Sequence, residues 1–156
     1  MDFEFDIIFD AKAVAVPYNY RITYKVSLIC LIIDLACVRG GASSTKIHMI
    51  NVALNDPSVR EDIDRLIQGN YLSESIPLRF DPSVNRAINY ALADDLITRQ
   101  ANGNFKLTTK GKFLVERINL DERLMVAEKL YLRTIGGKLS ERIISSVSKD
   151  WGIKNA

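Results

Sequence analysis

The chain has 156 residues, room for one domain with a sizeable core and too little for two ordinary ones. A hydrophobic content of 47% excludes a disordered chain, and a net charge of +2 gives no whole-molecule field for nucleic acid. The charge is unevenly placed: residues 11–48 and 96–118 each carry +4, and residues 56–95 between them carry −4.

The acidic start, MDFEFD, is not that of a signal peptide. The most apolar run, residues 26–38, is broken by Asp34 and is too short to span a bilayer. A soluble cytoplasmic protein without a membrane role is expected. Residues 3–9 (FEFDIIF) alternate enough for a short strand or arm, so residues 1–20 form an N-terminal arm. A helix over 21–38 follows, apolar on most sides and therefore buried on most sides. It holds both cysteines, Cys30 and Cys37. Seven residues at helical rise separate them by roughly 10 Å, too far for a disulfide. They read as small buried residues of a reducing compartment.

Gly40-Gly41 ends that helix. Ser43, Ser44 or Thr45 caps a second helix over 45–54. Asn55-Asp56-Pro57 breaks it, and Ser58 caps a third over 59–68, with Glu61 completing a capping box. Residues 71–77 connect to a short extended segment over 77–80. Asp81 or Ser83 caps a helix over 82–95, with the apolar stripe Val84, Ala87, Ile88, Ala91 and Leu92. Residues 96–100 and 105–108 read as two strands joined at Asn102-Gly103, with Phe105 and Leu107 on one face. Thr109 caps a helix over 110–118. Two further helices follow over 121–134 and 138–149, with stripes Leu124, Ala127, Leu130, Tyr131 and Ile143, Ile144, Val147, Trp151.

The fold class is mainly α with a small β wing. A winged-helix core over 21–118 carries the N-terminal arm and a C-terminal helical extension over 119–156. A DNA-reading winged helix would lay residues 82–95 in a major groove and the wing on a phosphate backbone. The helix argues against this, since Arg86 is its one cation beside Asp94 and Asp95. Asn85 and Asn89 offer amides for adenine edges. The DNA-backbone candidates are Lys46, Arg86, Arg99, Lys106, Lys110 and Lys112, enough for modest, salt-sensitive affinity.

Nothing in the sequence points to catalysis, a cofactor or a metal. His48 is the one histidine and has no nucleophile placed beside it. One His and two Cys on one helix do not make a zinc site. Gly136-Gly137-Lys138-Leu139-Ser140 lacks the upstream glycine and the Ser/Thr of a phosphate loop.

The first half, with Tyr24, Leu28, Asp34, Gly40, Gly41, Lys46, His48, Asn51 and Leu54, carries a family resemblance. So does the second, with Arg86, Ala87, Tyr90, Ala91, Leu96, Ile97, Leu107, Thr108 and Gly111, in a segment whose Leu92, Leu96, Ile97, Arg99, Leu107, Thr108, Lys110 and Gly111 resemble a run of many winged-helix proteins. The combination resembles the middle component of bacterial three-component ABC-ATPase systems, among them the Lamassu-type antiphage defence systems. The resemblance implies a small accessory subunit without catalysis. It would bind an SMC-like ATPase subunit and help join it to an effector nuclease subunit. The partner-binding candidates are Phe3 and Phe5 of the arm and Leu124, Leu130, Tyr131, Ile143 and Trp151 of the C-terminal helices. A dimeric winged-helix DNA-binding regulator is the alternative, and an enzyme with a concealed site a third.

Overall fold

The computed structural model describes residues 15, 17–38, 41–69 and 80–154, of which 149–154 are described by backbone alone. Phe3, Phe5 and the side chain of Trp151 lie outside the described residues. A 3-10 turn at Tyr18–Tyr20 leads into α1 (Ile22–Leu35). Six consecutive α1 residues from Leu28 to Ile33 are buried, as an all-round apolar helix requires. Around it stand α2 (Ser44–Asn55), α3 (Pro57–Ile67), α4 (Pro82–Ala93), α5 (Thr109–Leu120), α6 (Val126–Ile135) and α7 (Glu141–Lys154). The strands are β1 (Ile97–Arg99) and β2 (Phe105–Leu107). The molecule is mainly helical with one small antiparallel sheet.

α4 starts where expected, α6 starts five residues after the expected 121 and α7 three after the expected 138, while the starts of α2, α3 and α5 depart by one or two residues for a capping reason. Ser43 caps α2, its Oγ accepting from Lys46 N at 3.1 Å. α3 is capped by Asp56 rather than Ser58, and Pro57, expected as a breaker, occupies its first turn. The same device opens α4. Asp81 accepts from Ser83 N at 2.8 Å as Asp56 accepts from Ser58 N at 3.0 Å. Asp-Pro-Ser-Val thus occurs twice, with Val59 and Ile63, and Val84 and Ile88, turned into the core. α5 is capped by Thr108, not Thr109, its Oγ1 accepting from Gly111 N.

β1 and β2 pair as Ile97 with Leu107, Thr98 with Lys106 and Arg99 with Phe105. Residues 100–104 connect them, with the expected turn at the tip. Gly103 alone takes positive φ, and Gln100 N donates to Asn104 O at 2.8 Å. On the far edge of β2, Ala42 and Phe105 exchange two backbone hydrogen bonds of 2.8 and 2.9 Å, adding an isolated bridge between α1 and α2.

The C-terminal helices belong to the same core. Leu132 and Ile135 of α6, Leu139, and Ile144 and Val147 of α7 share one buried cluster with α1. The buried face of α6 is Lys129, Leu132 and Ile135, flanked by Met125 and Glu128, so the stripe expected from Leu124, Ala127 and Leu130 faces outward instead. Lys129 is tolerated because its ammonium donates to the carbonyls of Ile118 at 2.9 Å and Asp121 at 2.7 Å.

Two glycines mark close approaches. A Cβ at Gly41, which has φ +80, would overlap the Phe105 carbonyl of the bridge. A Cβ at Gly103, with φ +85, would meet nothing. Gly103→Ala is expected to cost about 1–2 kcal/mol from left-handed strain alone. Gly41→Ala adds the displaced bridge and is expected to cost roughly 3 kcal/mol or more. Urea denaturation of the two variants measures the difference, and equal losses would mean the bridge contributes nothing.

Candidate functional site

Leu96, Thr108 and Gly111, which also carry the sequence resemblance, help build the join between α4 and the β1–β2 hairpin. Asp94 is the C-cap of α4, and Asp95 takes the left-handed conformation at φ 57. Leu96 N donates to Ala91 O and Asp95 N to Leu92 O, the two bonds of a Schellman ending. That turns Leu96 inward and starts β1 without a loop. Thr108 Oγ1 donates to Asp95 O at 2.6 Å, so one hydroxyl caps α5 and holds the end of α4. Lys110 Nζ donates to Asp94 O at 2.7 Å and meets Asp94 Oδ1 at 3.1 Å. A Cβ at Gly111 would overlap the Leu96 carbonyl, so this position has to be bare.

The DNA-backbone candidates do not converge. Lys46 is 3% exposed, with its charge beside Cys37 inside the molecule, and is not placed to meet a phosphate. Lys110 is committed to Asp94. Arg99 shares a sheet face with Phe105, and its guanidinium lies 5.1 Å from that ring's centre. Lys106 stands on the exposed face of the β1–β2 hairpin opposite Thr98. Arg86 and Lys112 are exposed on α4 and α5. Arg86, Lys106 and Lys112 therefore remain as outward cations without a bonded partner among the described residues.

Beneath the head of α4 lies a polar cluster that sequence reading did not assemble. His48 of α2 is 1% exposed. The Asp81 N–H donates to its Nδ1 at 3.2 Å, which places the ring proton on Nε2, 2.9 Å from Asn85 Oδ1. Asn85 thus turns its oxygen inward and only its amide nitrogen outward, and it cannot make the paired donor and acceptor contact that reads adenine. Lys25 of α1, also buried, donates to Asn51 Oδ1 at 2.8 Å and pairs with Asp81 Oδ2 at 3.4 Å. Burial pushes the Asp81 carboxyl up, but hydrogen bonds from Ser83 and the Lys25 ammonium outweigh it and hold it below its usual value. Burial pushes the Cys30 thiol up to about 12 and raises that of Cys37, so neither is a ready nucleophile.

The partner-binding candidates divide. Leu124 and Leu130 are exposed, Leu130 at 67%. Ile143 packs against the core. Tyr131 is half-buried under the Arg60 guanidinium, which lies 5.3 Å from its ring centre. Sequence reading missed Phe113, Leu120 and Val126, exposed at 59%, 77% and 55%. Phe113 and Leu120 lie seven residues apart, opposite the Gly111, Val115 and Ile118 stripe, a phase the sequence does contain. An open groove of about 590 Å³ also runs between α1, α4 and α5, walled by Ile22, Val26, Tyr90, Leu96 and Leu114.

Among the described residues no helix is long and apolar enough to cross a membrane. No family model matches the chain, and no curated protein and no solved structure matches it either.

Lys25→Met would strand the Asn51 amide oxygen and leave Asp81 unpaired at the head of α4. The expected loss is about 2–4 kcal/mol in urea unfolding. A loss under roughly 0.5 kcal/mol, the size of an ordinary surface change, would mean the cluster holds nothing.

Proposed function

We propose that the chain is a non-catalytic winged-helix scaffold subunit of a DNA-acting, SMC-like ATPase and nuclease complex, serving antiphage or antiplasmid defence in the cytoplasm. The winged-helix assignment is supported by the order α1, bridge at Ala42, α2, α3, α4, β1, β2, α5, and by Ala42 pairing with the edge of β2 away from β1. The scaffold role is carried by one observation. Phe113, Leu120, Leu124, Val126 and Leu130, five large apolar side chains within eighteen residues of chain, are each about half or more exposed. Apolar exposure of this density marks protein contact surfaces. These residues would seat the ATPase subunit.

Leu120→Asp with Leu130→Asp tests the surface. Both positions are already in water, so the melting temperature is expected to hold within a few degrees. Affinity for the SMC-like ATPase subunit, measured by calorimetry, is expected to fall at least tenfold, about 1.4 kcal/mol or more. Unchanged assembly would sink the scaffold assignment.

The regulator alternative rests on the outward cations Arg86, Lys106 and Lys112. Three phosphate contacts give a salt slope for duplex DNA of about −3 in log–log form, hence weak binding at physiological salt. A much steeper slope with sequence-preferring, nanomolar affinity would favour the regulator.

A further inference from the structure

We infer that His48 is an acid-released latch on the N-terminal end of α4. The ring is the link between α2 and the head of α4. Nδ1 accepts the Asp81 N–H at the cap, and Nε2 reaches Asn85 in the next turn of the helix. The first bond requires the neutral ring, whereas Nε2–H donates to Asn85 in either protonation state. A proton added at Nδ1 faces the Asp81 N–H, so that bond is lost. Among the described residues the carboxylate that favours the new N–H is that of Asp81, whose Oδ1 holds Ser83 N and whose Oδ2 holds Lys25. Turning it to the imidazolium gives up the helix cap, the ion pair or both.

Among the described residues the charged groups facing His48 are Asp81 at the head of α4 and Lys25 from α1; Asn85 of α4 and Asn51 of α2 are neutral, and Phe80 lies edge-on at 4.9 Å. Asp81 favours the imidazolium and Lys25 opposes it. Burial is the largest influence and holds the ring below its ordinary value of 6.5. The sign follows. The native state prefers the neutral ring, so the latch is closed above about pH 6.5. It weakens as pH falls below that value, by up to tenfold per unit. The inference does not depend on the scaffold assignment, because it concerns how α4 is held and not what it touches.

The chain has one histidine, so its ring resonances are unambiguous in the intact protein. Nitrogen shifts at pH 7.5 are expected to show the proton on Nε2. Amide exchange at residues 81–86, corrected for intrinsic rate, is expected to lose about tenfold or more of its protection between pH 7.5 and 5. Protection at Leu28–Ile33, which only global unfolding opens, is linked to the same proton and falls with it, but is expected to stay well above that at 81–86 throughout. His48→Gln, whose amide can accept from one neighbour and donate to the other without titrating, is expected to show flat protection at 81–86. A proton on Nδ1 at pH 7.5, a ring still neutral at pH 5, or unchanged protection while the ring titrates would each overturn the latch. So would protection at 81–86 equal to that at Leu28–Ile33 at every pH, since the head of α4 would then open only by global unfolding. Should the Gln variant not fold, the wild-type comparison of the two amide groups decides alone.

Discussion

The structure depends on a helix whose middle has no solvent face. Leu28 to Ile33 are buried without a break, so α1 has to be enclosed on every side along its middle turns. α4 and α5 cover part of it and α6 covers another, with Tyr24 of α1 donating to Glu128 of α6 at 2.9 Å. α7 is tied to α2 by Glu141, which accepts from Ser43 N at 2.9 Å. The helices beyond residue 118 are therefore walls of the core as well as a possible docking platform. Cutting the chain there would open α1 to water, and a binding defect in such a fragment would say nothing about docking. Surface substitutions on α5 and α6 leave that enclosure intact.

The run that looked most like a DNA-contacting wing is largely a device for ending one helix and starting another. Thr108 caps α5 and donates to the end of α4. Lys110 neutralises the C-terminal carbonyl and side chain of Asp94, where the helix dipole favours a cation. Gly111 is bare because the Leu96 carbonyl occupies the space a side chain would need. Two of the cations that the charge count offered to phosphates, Lys46 and Lys110, are thus already in use. A charge count registers how many cations a segment has and not which neighbours they have found.

The order and kind of elements were legible because apolar spacing and capping chemistry are local. The errors are also local in cause. Asp56 displaced Ser58, and Thr108 displaced Thr109, because in each case the neighbouring residue also has a capping oxygen. On α6 two phases compete, and the more apolar one, Leu124 with Leu130, lost. The other phase spends a buried place on Lys129, which is acceptable only because two carbonyls from the end of α5 accept its protons. That compensation depends on the fold and is invisible in a window of α6. The cluster under α4 was illegible for the same reason. Lys25, His48, Asn51, Asp81 and Asn85 come from three helices and meet only once these have packed.

The cluster also explains how a polar interior and a sparse outer charge coexist in α4. Its inner side is fixed by Asp81, which serves Ser83, Lys25 and His48 together. Such shared acceptors are stiff, since no member moves without leaving another buried group unpaired. Asn85, the residue best placed by type to read a base, is drawn into this arrangement by its oxygen. Position on the helix therefore overrides residue type. A helix whose N-terminal amide is spent on holding the helix in place, and whose outward cation is Arg86 alone, is better suited to being held at a fixed angle than to reading sequence. The outward apolar residues sit elsewhere, on α5, α6 and the turn between them, so a protein contact there and a phosphate contact at Arg86 and Lys106 would draw on separate residues.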